Sequence, residues 1–272
     1  MLTVDVLISV TNGKIVRVKD MLQPQRQGVR YIVSYQYTDE KFLKLVPKEL
    51  EGLPDVVVVK NKALGVSQSR NVALKEATSD LIYFIDDDMR LLPESIDIIR
   101  KVFDEHPDVD IALFQAQNYS GECLRKYPTE DMPDPPVKEL YKVLACETVC
   151  RREKVQGKMV YDVRFGLGSH CATCYEQQIW LTDAIKAGLK ISFFANPIIQ
   201  TSAIYKPLLY FVDRNVQCSI GSMLYYICRN RAYIKAFQFA RYASKNHHCA
   251  FWPFFSAMVQ GINQLKHTPK SR

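Results

Sequence analysis

Five short runs of aliphatic, β-branched or aromatic residues restrict this chain more than any other feature. They are Val4–Val10, Tyr31–Ser34, Asp55–Lys60 with its four successive valines, Leu81–Ile85 and Asp110–Gln115. Apolar runs this short read as strands, and those without alternation as strands buried on both faces. The segments between them carry helical spacing instead. Val16–Leu22 suits a short helix. Over Val66–Ala77, the residues Val66, Val72, Ala73 and Ala77 share a face, with Lys75 and Glu76 outside. Pro93-Glu94 opens a further helix whose Ile96, Ile99, Val102 and Phe103 are spaced for burial. Such alternation predicts an α/β sheet with a doubly wound first half. In open sheets of that kind ligands bind beyond the carboxyl ends of the strands.

One strand end is chemically unusual. Leu81–Ile85 runs directly into Asp86, Asp87 and Asp88. Three adjacent carboxylates repel one another unless something cationic sits among them. Carboxylate oxygens suit Mn²⁺ or Mg²⁺, which also favour water and phosphate oxygens. Asp86 and Asp88, as alternate residues, can act together where the strand loosens into a loop. The plain alternative is a solvated acidic turn.

Further along, Asn118–Pro136 is polar and proline-rich and reads as a surface loop, with order resuming over Leu140–Val149. Phe165–Ser169 is a glycine-marked turn. Glu176–Ala187 reads as a helix with Ile179, Trp180, Ala184 and Ile185 as apolar positions and Gly188 as its stop, and Ile191–Phe194 as a strand. From Leu208 onward the pattern is helical. The 272 residues are 47% hydrophobic and 24% charged, as in an ordinary globular protein. Charge is unevenly placed: after Ile204 there are ten Lys and Arg and one acid, Asp213, so that this tail carries +9 of a net +7. A basic tail suits an anionic partner. The start of the chain lacks a basic leader, no apolar run reaches the length that spans a bilayer, and the eight cysteines form no dense framework. A cytoplasmic protein with reduced thiols is expected.

Gly65-Val66-Ser67-Gln68-Ser69-Arg70-Asn71, a helix, and then the strand ending in Asp86-Asp87-Asp88 resemble glycosyltransferase family 2, whose stretch reads G-x-S-x-A-R-N, helix, hydrophobic strand, D-x-D. Arg164-Phe-Gly-Leu-Gly168, then Tyr175-Glu176-Gln177-Gln178-Ile-Trp-Leu, then Gly188-Leu-Lys-Ile191 are similar to its later F-G-x-G, G-E-E/D-x-x-F-L and G-x-K-I. The resemblance covers about residues 4 to 204 and rests on motif spacing. It implies a GT-A, Rossmann-like mixed sheet flanked by helices, with a C-terminal helical extension: a catalytic domain over residues 1–204 and a basic, aromatic-rich helical region over 205–272. It also implies metal-dependent transfer of a sugar, with inversion, from a nucleotide-diphosphate sugar, a UDP-sugar foremost, to a hydroxyl of a glycan or lipid-linked acceptor.

Under that resemblance Asp86 and Asp88 hold Mn²⁺ or Mg²⁺ against the diphosphate, and Asp87 faces the sugar or solvent. Thr11 and Asn12 border the nucleotide base. Arg70 contacts the donor or makes a structural ion pair with a neighbouring Asp. Glu176 is the general base that takes the acceptor proton, or a first-turn acid that favours the helix dipole. Trp180 packs in the core or stacks on a sugar. Four departures stand out. The acids after the second strand are reduced to Asp39, which leaves base recognition to Ser34 or a stacked Tyr35. Gln177 replaces the second acid at the helix start, Tyr175 replaces a glycine, and no histidine follows the last strand. A catalytically degenerate nucleotide-sugar-binding or scaffold protein is therefore the alternative, with a nucleotidyltransferase third.

Cys171 and Cys174 form a Cys-x-x-Cys without a second pair at zinc spacing, so buried inert thiols are expected there. The aromatic and basic tail either covers the catalytic domain or lies on an anionic membrane surface at the inner face of the cell membrane. No established nucleic-acid motif is present.

Overall fold

The computed structural model describes residues 1–202, 209–247 and 249–270. The chain divides into two compact units, one of residues 1–64, 68–160 and 183–205 and the other of residues 65–67, 161–182 and 206–272. The boundary expected between residues 204 and 205 lies outside the described residues.

The first unit contains the whole sheet. Its strands are β1 (Val4–Thr11), β2 (Val29–Gln36), β3 (Val56–Asn61), β4 (Leu81–Asp86), β5 (Met89–Leu91), β6 (Ile111–Asn118), β7 (Met132–Pro133), β8 (Thr148–Arg151) and β9 (Ile191–Thr201). They lie in the order β3-β2-β1-β4-β8-β6-β9-β5, with β7 pairing β9. β3, β2, β1 and β4 run parallel, which is the doubly wound part that the sequence predicts. β8 enters antiparallel to both β4 and β6, while β6 and β9 are parallel to each other. The sheet is therefore mixed.

Burial explains the strand residues. Every residue from Val4 to Val10 is buried, as the apolar run requires of a central parallel strand. The charged residue of the run is Asp5, fully buried between Val4 and Val6. Its carboxylate accepts Arg30 Nε at 2.9 Å and Nη2 at 3.1 Å, the amides of Thr78 and Ser79 at 2.6 and 2.9 Å, and the Ser79 hydroxyl at 2.7 Å. Burial works to raise its pKa, but these donors together hold it below the usual carboxylate value.

The first unit also carries α1 (Lys48–Glu51), α3 (Ser95–Glu105), α4 (Val137–Leu140) and α5 (Arg152–Val155), and between α1 and α3 runs α2 (Val66–Glu76). In α3 Ile96, Ile99, Val102 and Phe103 are buried, as their spacing predicts. The helix expected over Val16–Leu22 is instead a 3₁₀ run over Asn12–Met21 that buries Ile15, Val18 and Met21. Those three recur every third residue, the period at which 3₁₀ side chains eclipse.

α6 (Glu176–Lys186) follows the glycine-marked turn, and Gly188 past its end takes φ +74. The second unit then holds α7 (Leu209–Val212), α8 (Arg214–Cys228), α9 (Ala232–His247) and α10 (Phe251–His267). Asp213 caps α8 by accepting from the amides of Asn215 and Val216. α8 and α10 touch backbone to backbone: a Cβ on Gly221 would stand 1.9 Å from the Met258 carbonyl oxygen, and one on Gly261 1.8 Å from that of Cys218. The Ser222 hydroxyl donates to the Gly261 carbonyl across the same seam at 3.0 Å. Ile220, Phe254, Met258 and Ile262 form the core there. Among the described residues no helix is long and apolar enough to cross a membrane.

Candidate active site

The carboxyl ends of β1, β2, β3 and β4 converge in register. Thr11 pairs with Gln36, Gln36 with Asn61, and Ser9 with Asp86. β4 ends at Asp86, and Asp87 and Asp88 form the turn into β5.

Each acid of the trio has its own partner. Asp86 accepts Arg70 Nη2 at 3.2 Å on both carboxylate oxygens, from a guanidinium that is buried on α2. Asp87 turns inward rather than to solvent, is 7% exposed, and accepts Lys14 Nζ at 3.0 Å. Burial pushes the Asp87 carboxyl up; Lys14 opposes the shift, and Asp88 and Asp86 add to it. Asp88 accepts the Ser202 hydroxyl at 3.0 Å on its side chain and the Tyr119 hydroxyl at 2.7 Å on its backbone carbonyl. Among the described residues Asp88 has no Lys or Arg partner. Two cations from the chain itself thus relieve the crowding of like charge, so repulsion alone does not call for a divalent ion here.

The donor chemistry still suits one. Asp86 and Asp88 present hard carboxylate oxygens, and Mg²⁺ is commonly held by one or two carboxylates together with substrate phosphates and water. Among the described residues no group of three His, Cys, Asp or Glu side chains converges as a complete protein cage. The residues fit a metal shared with a phosphate ligand, not one enclosed by the chain.

Thr11 and Asn12 close β1. Asn12 adopts φ +50, and its Oδ1 accepts the Thr38 amide at 2.9 Å and the Thr38 hydroxyl at 3.2 Å, which ties the end of β1 to the segment after β2. Ser34 is fully buried in β2, where its carbonyl accepts the Ser69 hydroxyl at 3.3 Å. Tyr35 has no exposed face for a base: it is 0% exposed and donates its hydroxyl to the Phe42 carbonyl at 2.7 Å. Sequence reasoning missed Gln36 and Asn61. Their amide nitrogens and the Ser34 hydroxyl are buried with no hydrogen-bond partner among the described residues. Unmatched buried donors are costly and call for a partner. Only the strand register, which composition does not reveal, places the two amides side by side.

The second unit holds the Glu176 region. The Ser67 hydroxyl donates to the Phe165 carbonyl at 2.7 Å and the Val66 amide to the Leu167 carbonyl at 2.9 Å, so the start of α2 fastens the turn at Gly166. Gly166 has φ +99, and a Cβ there would stand 2.6 Å from Val66 Cγ1 and 3.3 Å from Glu176 Cγ. Glu176 is the first residue of α6 and half-buried. Tyr175 before it adopts φ +75, the left-handed region that favours glycine. The position where the resembled family carries glycine therefore keeps glycine's backbone with a tyrosine on it. Gln177 is buried and accepts the Tyr161 hydroxyl at 2.8 Å. The Tyr161 ring stacks on Trp180 with centroids 5.5 Å apart, and Trp180 is 0% exposed, so it is core and not a sugar platform. Burial pushes the Cys174 thiol up to about 12 and also raises Cys171.

The sequence model of the family described as "Glycosyl transferase family 2" matches residues 35–174. A search of curated proteins finds no match. Among solved structures the chain is similar to S. aureus TarS, at 17% identity and TM-score 0.59, over 89% of this chain and 44% of that one. It is similar to TarS 1-349 in complex with UDP-GlcNAc at 13% identity and TM-score 0.60, over 96% of this chain and 92% of that one. A UDP complex of the same segment gives 16% identity and TM-score 0.56, over 92% and 73%. The chain thus spans less than half of the longer TarS chain. The likeness establishes the fold: a mixed sheet flanked by helices, GT-A-like, with a helical C-terminal region.

Proposed function

The chain belongs to glycosyl transferase family 2, and from that premise we propose that it moves a sugar from a nucleoside-diphosphate sugar to a hydroxyl of a glycan or lipid-linked acceptor, with inversion, in surface polysaccharide biosynthesis. Residues 1–204 would be its catalytic part. A uridine nucleotide is the donor favoured, since the chain is similar to S. aureus TarS 1-349 in complex with UDP-GlcNAc. The observation that carries the proposal is the strand-end constellation: the buried Arg70 guanidinium holds the half-buried Asp86, while Asp88 beside it has no Lys or Arg partner among the described residues.

In this proposal Asp88, with Asp86, would hold Mn²⁺ or Mg²⁺, which when bound offsets charge on the departing diphosphate. Arg70 positions Asp86 and does not itself meet the donor. Thr11 and Asn12 border the base, and the unmatched donors of Ser34, Gln36 and Asn61 lie behind them at the same strand end. Glu176 takes the proton of the acceptor hydroxyl as that oxygen attacks the anomeric carbon.

The alternative, a binding protein without turnover, is favoured by Gln177, a buried amide where the resembled family has a second acid. Thermal shift with a panel of nucleotide sugars, with and without Mn²⁺, tests donor binding, because a ligand of the native state raises the melting temperature. Asp88→Ala is expected to abolish the metal-dependent part of the shift. Glu176→Gln is expected to keep it and to lower transfer. Donor binding without transfer by the parent protein would favour the alternative, and no shift with any nucleotide sugar would sink both.

A further inference from the structure

α9 is built inside out. Its inward positions are all alanine: Ala232, Ala236, Ala240 and Ala243 are each 0% exposed. Most of its large apolar residues point outward, with Ile234 60%, Phe237 45% and Tyr242 55% exposed, while Phe239 is half-buried against Phe254 at 5.7 Å. An ordinary amphipathic helix does the reverse. The start of α10 continues this surface. Trp252 is 71% exposed, and its ring lies 5.0 Å from Phe251 and 6.4 Å from Phe255. Phe237 of α9 meets Phe251 at 5.3 Å and Phe255 at 5.8 Å, edge to face. Four rings thus form one connected patch that is partly open to solvent. Isolated exposed apolar residues need no explanation, but a contiguous cluster does.

Charge selects the occupant. Lys235, Arg241 and Lys245 are exposed on the same helix, and no Asp or Glu occurs anywhere between Arg214 and Arg272. A second copy docking on this face would set cations against cations with no acid to answer them. A nucleic acid would satisfy the cations but gives Ile234 no reason to be exposed. A bilayer with anionic headgroups satisfies both, since aliphatic and aromatic groups enter the acyl boundary, Trp and Tyr settle at the headgroup level, and Lys and Arg meet the phosphates. No described helix is long and apolar enough to cross the membrane, so the contact would be one of lying on its surface.

We propose that the outer face of α9 and the first turn of α10, centred on Phe237 and Trp252 and rimmed by Lys235, Arg241 and Lys245, is a docking surface for an anionic lipid bilayer. The docking needs no turnover and stands or falls apart from the catalytic proposal.

The two tryptophans supply the test. Trp180 is 0% exposed and blind to the surface, whereas Trp252 reports on it. The full chain is mixed with vesicles of phosphatidylcholine alone or blended with phosphatidylglycerol, and sedimentation and tryptophan emission are followed. Binding to the blended vesicles is expected, weakened by salt, with a blue shift of Trp252 and its quenching by brominated acyl chains. The double variant Phe237→Ser/Trp252→Ser is expected to bind about tenfold or more weakly, since each buried ring contributes to partitioning. Lys235→Glu/Arg241→Glu is expected to lose the preference for phosphatidylglycerol while leaving the aromatic patch intact. All four positions are exposed or face outward, so circular dichroism should show parent-like folding for both variants. Equal binding to neutral vesicles, unchanged binding by either variant, RNA binding with Trp252 still emitting as in water, or a dimer abolished by Phe237→Ser/Trp252→Ser would each overturn the proposal.

Discussion

Gly166→Ala is the sharpest probe of how the Glu176 region is held. Gly166 sits at φ +99, where an L side chain is strained by about 1–2 kcal/mol. The new Cβ would also stand 2.6 Å from Val66 Cγ1, 3.2 Å from Ser67 Oγ and 3.3 Å from Glu176 Cγ. Val66 is β-branched and opens α2, so it has few rotamers into which to retreat. Overpacking of this kind adds about 1–3 kcal/mol. Loss of freedom in the unfolded chain returns only about 0.4–1 kcal/mol. The net expectation is a destabilisation of about 2–4 kcal/mol, which lowers the melting temperature by roughly 4–7 °C for a chain of this size. Val66→Ala in the same background removes the closest clash but not the backbone strain, and should recover about 1–2 kcal/mol of the loss. Urea and thermal unfolding of the parent, both single variants and the double variant measure the coupling. Transfer by Gly166→Ala should fall more than donor affinity does, because the displaced atom belongs to Glu176. A Gly166→Ala protein that melts at or above the parent, or a strictly additive cycle, would refute this account.

Three other perturbations follow from the same structure. Asp5→Asn should cost about 2 kcal/mol, Arg30 being a third exposed and partly screened. Because the folded pKa of Asp5 is lowered, its stabilisation is full above the ordinary carboxylate value and fades as pH falls below about 4. The gap between parent and variant in urea unfolding should therefore narrow in acid, and a gap that widens there counts against the pairing. Glu147→Gln leaves the Arg125 guanidinium, only 8% exposed, without its carboxylate, and should destabilise by about 3–5 kcal/mol while loosening the segment that carries Arg125 and Tyr127. Hydrogen exchange over residues 119–136 checks this, and parent-like protection there would contradict it. At Tyr175 both Gly and Ala lose the ring, but only Gly accepts φ +75 without strain, so Tyr175→Gly should be the more stable of the two by about 1 kcal/mol. Equal melting temperatures would show that the backbone there relaxes.

Strand existence was legible because it needs only local information. Leu81–Ile85 can be satisfied only inside a sheet, whatever its neighbours, and the spacing of Ile96, Ile99, Val102 and Phe103 defines a buried helix face without reference to what covers it. The family motifs were legible for the same reason, being short and contiguous. Their purpose was less so. Ser67 and Ser69 read as filler between Gly65 and Arg70, yet one fastens the Phe165 turn and the other the end of β2. The acidic trio read as a demand for a metal ion, whereas Lys14, 73 residues distant from Asp87, and Arg70 already meet much of its charge.

By itself, the sequence determined the parallel strands, the position of the acids at a strand end and the basic, aromatic character of the last helices, since each follows from residue type and local period. Only the tertiary structure decided that β8 enters antiparallel, that Gln36 and Asn61 lie side by side, that Tyr175 takes a glycine's backbone and that α9 turns its alanines inward. The last of these shows the physical reason. Where α8 and α10 approach so closely that glycines are required at their crossing, small side chains fit the inward positions of α9 against them, and the aromatics that a local pattern would bury are left facing out.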